Sequence, residues 1–312
     1  MIRNAAPADH AALLALWQAN APRQGYASRP DAEVDRLLFR HPYFSYEYTF
    51  VRAEQGRAVA FICGCVGNDI PHGRERGCFT CLAADPAWDT PETTVQLLDA
   101  LEEAFRVAGK TASAVTFFNP MHLPWVLPAL DAARAAGFAL PVVYNTGGYE
   151  TLETVKALAG YVDIWLADVK YASPDLAAEL SAARDYPAVA EAALRQMLRQ
   201  TGAPVYDADG YLQKGVIVRH LALPGHTDDS FAVLALLARI RDEEGVPFIP
   251  SLMSQFTPFY KAAEHNLGRR ITTYEYRKVI DEAVRLGLTD GYMQEKSSAR
   301  EEYTPPFDLE GV

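Results

Sequence analysis

With 312 residues, 49% of them hydrophobic, the chain has apolar material for a full core and is neither disordered nor collagen-like, and its length allows two ordinary domains or one large barrel. Its net charge of −11 is shared, −3 up to Trp125 and −8 beyond, so neither part offers the basic surface that nucleic acid or an anionic membrane needs. No window approaches ~18 uninterrupted apolar residues, and Ala11 to Trp17 lacks a basic flank and a cleavage signal, so the expectation is a cytoplasmic protein with reduced thiols and no membrane partner.

From Pro7, a good first-turn residue, Leu13, Leu14, Leu16 and Trp17 recur at helical spacing up to Asn20, and a short second helix follows around Val34 to Leu38. Three strand-like segments come next, Tyr46 to Ala53, Ala58 to Val66 and Gly77 to Ala83. The tight Glu54-Gln55-Gly56 turn makes the first two an antiparallel hairpin. Thr90 caps a helix with Pro91 at its first position and Val95, Leu98, Leu101 and Phe105 as the expected buried stripe; Gly109 ends it. Another strand runs from Ser113 to Phe118.

The rhythm then changes to strict alternation. Strands at Pro141 to Tyr144, Val162 to Ala167, Gly215 to His220, Pro247 to Ser251 and Gly291 to Gln294 are separated by helices near Leu127 to Ala136, Leu152 to Leu158, Pro187 to Gln200, Asp229 to Asp242 and Tyr274 to Leu286. Such alternation predicts right-handed βαβ units and a parallel sheet or barrel. Just beyond successive strands stand Asn119-Pro120-Met121-His122, Asn145-Thr146-Gly147-Gly148, Asp168-Val169-Lys170, Arg219-His220, Ser254-Gln255 and Gln294-Glu295. In a parallel α/β barrel all of these meet on one face, where substrates and cofactors bind. The alternative is that strand ends are polar simply because they reach solvent.

Asp168 and Lys170 are two apart, which on one strand places them on the same side, able to grip a zwitterion. A self-satisfied Asp–Lys pair is the plainer explanation. Arg219 could hold a carboxylate bidentately, and the glycines after Thr146 either let main chain approach a ligand or merely make the turn. No nucleophile triad, phosphate loop or dinucleotide fingerprint is present here.

The part from about Ala114 to Val312 resembles radical S-adenosylmethionine proteins related to the pyruvate formate-lyase activating enzyme. The segments that carry this are VVYNTGGYE (Val142 to Glu150), VDIWLADVKY (Val162 to Tyr171), GVIVRHLALPGHTDDS (Gly215 to Ser230), SLMSQFTP (Ser251 to Pro258) and GYMQEKSSAREEYTPPFD (Gly291 to Asp308). The resemblance implies a partial (βα) barrel with S-adenosylmethionine beside a [4Fe-4S] cluster, and a glycyl-radical-type protein as partner. It assigns Asn145, Thr146, Asp168, Lys170 and Arg219 to cofactor binding, although the activase has Asp where this chain has Asn145. The family ligates its cluster through Cys-x3-Cys-x2-Cys, and that run is absent. Without three thiolates an iron site open to the sulfonium cannot be held.

The first ~125 residues resemble a GCN5-related N-acetyltransferase, through IRNAAPADHAALLALWQ (Ile2 to Gln18), RAVAFICG, GCFTCLAADPAW, the helix from Thr90 to Ala108 and the strand ending TFFNP. That family binds acetyl-CoA with its pyrophosphate at the start of the helix after Asp85-Pro86. Here Asp89-Thr90-Pro91-Glu92-Thr93-Thr94 replaces the usual glycine-rich turn, which sets two carboxylates against the phosphates and removes a donor at Pro91. The expected architecture is therefore α/β. An acetyltransferase-like mixed α+β sheet over 1–125 joins a partial (βα) barrel of radical type over 126–312, with the join between about 113 and 137. The length is short for both domains complete.

All four cysteines, Cys63, Cys65, Cys78 and Cys81, precede residue 82. As a metal site their spacing could supply four thiolates, but simple alternation puts Cys63 and Cys65 on one face and Cys78 and Cys81 on opposite faces, which favours small apolar strand residues. His72 and His122 read as hydrogen-bonded structure. Three functions follow: a radical-type S-adenosylmethionine protein lacking its usual cluster ligands, an N-acetyltransferase acting on an amine, or a non-catalytic fusion of two incomplete domains.

Overall fold

A computed structural model of the chain describes residues 1–21, 30–40, 44–69, 74–109, 115–118, 123–258 and 261–293, with the side chains of 37, 65–69, 74–80, 115–118 and 125 outside that description. Two compact units emerge, Met1–Ala112 and Ser113–Phe307. The units divide at 112/113. The cause is strand pairing: the strand Val115–Phe118 hydrogen-bonds in parallel to Val142–Asn145 and so belongs to the second sheet.

In the first unit, β1 (Ile2–Asn4), α1 (His10–Asn20) and the short α2 (Asp31–Val34) precede β2 (Phe44–Glu54), β3 (Arg57–Asp69), β4 (Arg74–Ala84) and α3 (Pro91–Val107). The four strands form an antiparallel sheet in chain order. Gln55 and Gly56 both have positive φ, 51° and 80°, and the Glu54–Arg57 pair closes them into the two-residue primed turn whose twist matches a hairpin. Alternation along β3 feeds two cores: Phe61 and Cys63 join Leu13 and Leu16 of α1, while Ala60 and Ile62 join Leu97 and Leu101 of α3.

Helix α3 begins as expected, with Thr90 Oγ1 accepting from Thr93 N. Its buried stripe is Thr93, Leu97 and Leu101; Val95 and Leu98 are exposed, contrary to the sequence expectation. The Thr93, Leu97, Leu101 row is a four-residue ridge, and Arg52 of β2 fixes its start by donating to Thr93 and Gln96.

The second unit contains β5 (Val115–Phe118), α4 (Leu123–Ala135), β6 (Val142–Thr146), α5 (Leu152–Ala157), β7 (Ile164–Asp168), α6 (Pro174–Ser181), α7 (Tyr186–Thr201), β8 (Val205–Tyr206), β9 (Leu212–Leu221), α8 (Thr227–Glu244), β10 (Ile249–Met253), α9 (Thr273–Arg285) and β11 (Tyr292–Met293). Six strands pair in parallel in the order β5-β6-β7-β9-β10-β11, and β8 lies antiparallel to β9. Strands laid side by side in chain order are the singly wound arrangement of a (βα) barrel, here with ends at β5 and β11 among the described residues. The core gathers Tyr144, Trp165, Val216 and Val218 from the strands under Leu194, Leu198, Leu234 and Leu237 of the helices. Parallel strands covered this way need continuous apolar runs, which β7 and β9 supply. No described helix is long and apolar enough to cross a membrane.

Candidate functional site

Because β6, β7 and β9 are parallel neighbours, their C-terminal ends form one edge, and Asn145, Asp168 and Arg219 stand there side by side. Arg219 is the bridge. Its Nε donates to Asp168 Oδ1 at 2.7 Å and its Nη2 to Asn145 Oδ1 at 2.6 Å. Two of its five N–H donors are thus engaged inside the protein. The Asn145 carbonyl accepts from Arg219, while its NH2 has no partner among the described residues. Burial pushes the Asp168 carboxyl above its ordinary pKa, against the opposing pull of the Arg219 and Lys170 cations.

Lys170 lies two residues beyond the end of β7, so it does not share a strand face with Asp168 as alternation predicted. Among the described residues its ammonium has no hydrogen-bond or ion-pair partner, which also sets aside the self-satisfied Asp–Lys pair; Asp168 pairs with Arg219 instead. A Cβ placed on the exposed Gly147 would sit 3.6 Å from Lys170 Nζ, so the ammonium overhangs that turn.

Thr146 is buried and faces into the loop. Its hydroxyl donates to Glu150 Oε1 at 2.8 Å and accepts from Gly148 N at 3.1 Å. Tyr144 also donates to that oxygen, and burial together with the Glu150 charge raises the Tyr144 pKa. Gly148 has φ +81°, and a Cβ there would fall 2.1 Å from the Asp168 carbonyl oxygen. Only glycine satisfies both constraints. The Asn145 to Glu150 loop is thus pressed onto the end of β7.

Tyr186, to which sequence reasoning gave no role, and His220, which it placed among the polar strand ends, hold this edge together. The Tyr186 hydroxyl, at the start of α7, reaches Gly147, Asp168 and Lys170 main chain within 3.0 Å. His220 is buried with Nδ1 2.8 Å from the Val169 carbonyl and Nε2 2.9 Å from Ser230 Oγ. A carbonyl can only accept, so Nδ1 carries the proton and Nε2 accepts from the serine. For Glu150 a signal existed: an acid two residues past a glycine turn, with Tyr144 and Thr146 on the preceding strand. Of the other strand ends, Ser254 is buried and Gln255 donates to Met253 Sδ, whereas His72, Asn119 to His122, Gln294 and Glu295 lie outside the described residues.

In the first unit, Cys63 pairs in register with Cys81 and Cys65 with Cys78, across an irregularity between Cys63 and Gly64. That bulge absorbs one residue of β4, so three steps from Cys78 to Cys81 span the same two rungs as two steps from Cys63 to Cys65. The faces that the Cys65 and Cys78 side chains present lie outside the described residues. Cys63 is buried and Cys81 half-buried, neither in a disulfide, and no metal-holding group of three or more His, Cys, Asp or Glu occurs among the described residues. At the α3 N-terminus, Thr93 N is satisfied by Thr90 Oγ1, Thr94 N by Thr90 O, and Pro91 has no N–H. Glu92 adds a carboxylate in that turn, so the residues there do not fit the pyrophosphate of acetyl-CoA.

No protein-family model matches the chain. An uncharacterised protein of Methanocaldococcus jannaschii is 27% identical over 176 residues, 56% of this chain and 47% of its own length, so the chain spans about half of that curated relative. Among solved structures the chain is similar to a domain of a pyruvate-formate lyase-activating enzyme from Bacteroides vulgatus, with a TM-score of 0.42 and 14% identity over 59% of this chain and 100% of that one. It is also similar to a ribosomal-protein-alanine N-acetyltransferase from Brucella melitensis, with a TM-score of 0.30 and 14% identity over 36% of this chain and 74% of that one.

Proposed function

We propose that the unit Ser113–Phe307 binds S-adenosylmethionine at the C-terminal edge of β6, β7 and β9, with Lys170 taking the ligand carboxylate. The observation that carries this is a lone ammonium, unpartnered among the described residues, overhanging the exposed Gly147 turn beside a half-buried Asp168–Arg219 pair. A cation with no hydrogen-bond or ion-pair partner among the described residues, next to accessible main chain, is a donor set suited to a carboxylate. The Asn145 NH2 adds a second donor on the same edge. The choice of S-adenosylmethionine among carboxylate ligands rests on the resemblance of the segments around Asn145, Asp168 and Arg219 to the activating-enzyme family.

S-adenosylmethionine supplies a sulfonium-activated carbon when bound. Within this chain the residues present do not fit a [4Fe-4S] cluster at that edge, since the unit contains no cysteine and all four thiols lie at or before Cys81. The unit's own residues supply no thiolate for a cluster, and the role proposed for them is to hold S-adenosylmethionine. Asp168 and Arg219 neutralise one another and leave Lys170 to set the local charge.

Isothermal titration of the full chain with S-adenosylmethionine tests the proposal. Binding is expected, weakened about tenfold in Lys170→Ala, as loss of a charge-assisted hydrogen bond predicts. Absence of heat from folded wild-type protein overturns it. Anaerobic reconstitution with four irons per chain would overturn the exclusion of the cluster.

A further inference from the structure

We propose that Tyr186 is the positioning residue of the Lys170 site: its hydroxyl fastens the turn after β6 to the segment after β7 and thereby fixes the Lys170 ammonium over Gly147. The inference rests on the reading of Lys170 as the carboxylate-binding group.

Tyr186 opens α7 and is 3% exposed, with its ring stacked on Tyr149 at 5.9 Å and edge-on to Tyr171 at 5.6 Å. Those contacts leave the ring little freedom, so the hydroxyl is presented at a fixed point. It accepts from the Lys170 N–H at 3.0 Å and shares its own proton between the Gly147 carbonyl at 2.9 Å and the Asp168 carbonyl at 3.0 Å. One oxygen thus serves three main-chain groups on the two segments that carry Asn145, Asp168 and Lys170. Gly148 makes room for it, because a Cβ there would lie 3.1 Å from Tyr186 Oη as well as against Asp168.

A flexible ammonium binds a carboxylate well only when its own backbone is held and its path to the ligand is set. Phenylalanine at 186 would keep the packing and remove only the hydroxyl. The Lys170 N–H would then lose its acceptor, and the two carbonyls their common donor. Lys170 would be free to drift from Gly147 while Asp168 and Arg219 kept their ion pair.

The test uses full-length Tyr186→Phe with two readouts. In ligand-free protein, NMR-detected amide exchange should show loss of protection at Lys170 with Val169 unchanged, since the Val169 N–H donates instead to the Arg219 carbonyl. Titration should then show S-adenosylmethionine bound about tenfold more weakly, its decarboxylated analogue within about twofold of wild type, and no further loss when Tyr186→Phe is added to Lys170→Ala. Unchanged Lys170 protection, equal weakening of both ligands, or additivity with Lys170→Ala overturns the positioning role. Wild-type protein that binds neither ligand overturns the S-adenosylmethionine reading instead, and the fastening by Tyr186 is then decided by the exchange result.

Discussion

Asp168 and Arg219 face each other at paired positions of adjacent parallel strands, and their side chains meet at 2.7 Å. Both are largely shielded from solvent, so each depends on the other for compensation. Arg219→Leu strands the carboxylate and is expected to cost about 2–4 kcal/mol. Adding Asp168→Asn removes the orphaned charge and should recover more than half of that loss. Urea denaturation of the single and double variants measures both, and a double variant no more stable than Arg219→Leu would refute the pairing argument.

Gly147 and Gly148 are adjacent yet separable. Alanine at 148 meets the Asp168 carbonyl at 2.1 Å with φ +81°, so the loop must move and stability should fall by more than about 1 kcal/mol. Alanine at 147 finds Lys170 Nζ at an ordinary 3.6 Å, so thermal stability should hold while ligand access to the ammonium narrows. A Gly147→Ala protein that binds S-adenosylmethionine as tightly as wild type would count against the placement of the ligand.

Burial holds the His220 imidazole below its ordinary pKa. The unfolded chain therefore takes up this proton first, at about pH 6.5, and stability falls as pH drops through that value toward the depressed folded pKa. One proton contributes at most about 1.4 kcal/mol per pH unit. Comparing urea midpoints at pH 7.5 and 5.5, His220→Gln should lose this part of the dependence, and an unaltered difference would sink the assignment.

Glu275 caps α9 from its first turn. It accepts from the Thr272 N–H and hydroxyl, from Gly225 N–H and from both arms of Arg269. The Arg269 hydrogen bonds first, then those from Thr272 and Gly225, hold its pKa well below the carboxylate range. Its stabilising contribution is complete above about pH 4.3 and is lost as pH falls from there toward the folded value. Glu275→Gln is expected to cost about 1–2 kcal/mol at neutral pH. Thermal melts across pH 3 to 7 should show the variant less acid-sensitive than wild type.

Much of the second unit was legible because strand and helix periods alternate cleanly and parallel strands bring their C-terminal residues to one edge. Asn145, Asp168 and Arg219 were found that way. Tyr186 was not, because its partners lie up to 39 residues away and an aromatic residue at a helix start carries no local mark of them. The short α6 and β8 lacked enough periods to register. Val95 and Leu98 of α3 look as apolar as Leu97, and only the placement of the sheet decides which row is covered.

The strand order of the second unit also sets an order of events in folding. Joining β6 to β7 closes a segment whose hydrogen-bonded ends, Val142 and Asp163, are 21 residues apart, whereas Asp168 and Arg219 are 51 apart with α6, α7 and β8 between them. Closing the longer loop costs about 0.5–1 kcal/mol more chain entropy, before any contact it makes is counted. Chain entropy therefore favours bringing the Asn145 loop and the end of β7 together before β9 docks. The docking of β9 is what brings Arg219 to Asp168 and completes the charge balance at that edge.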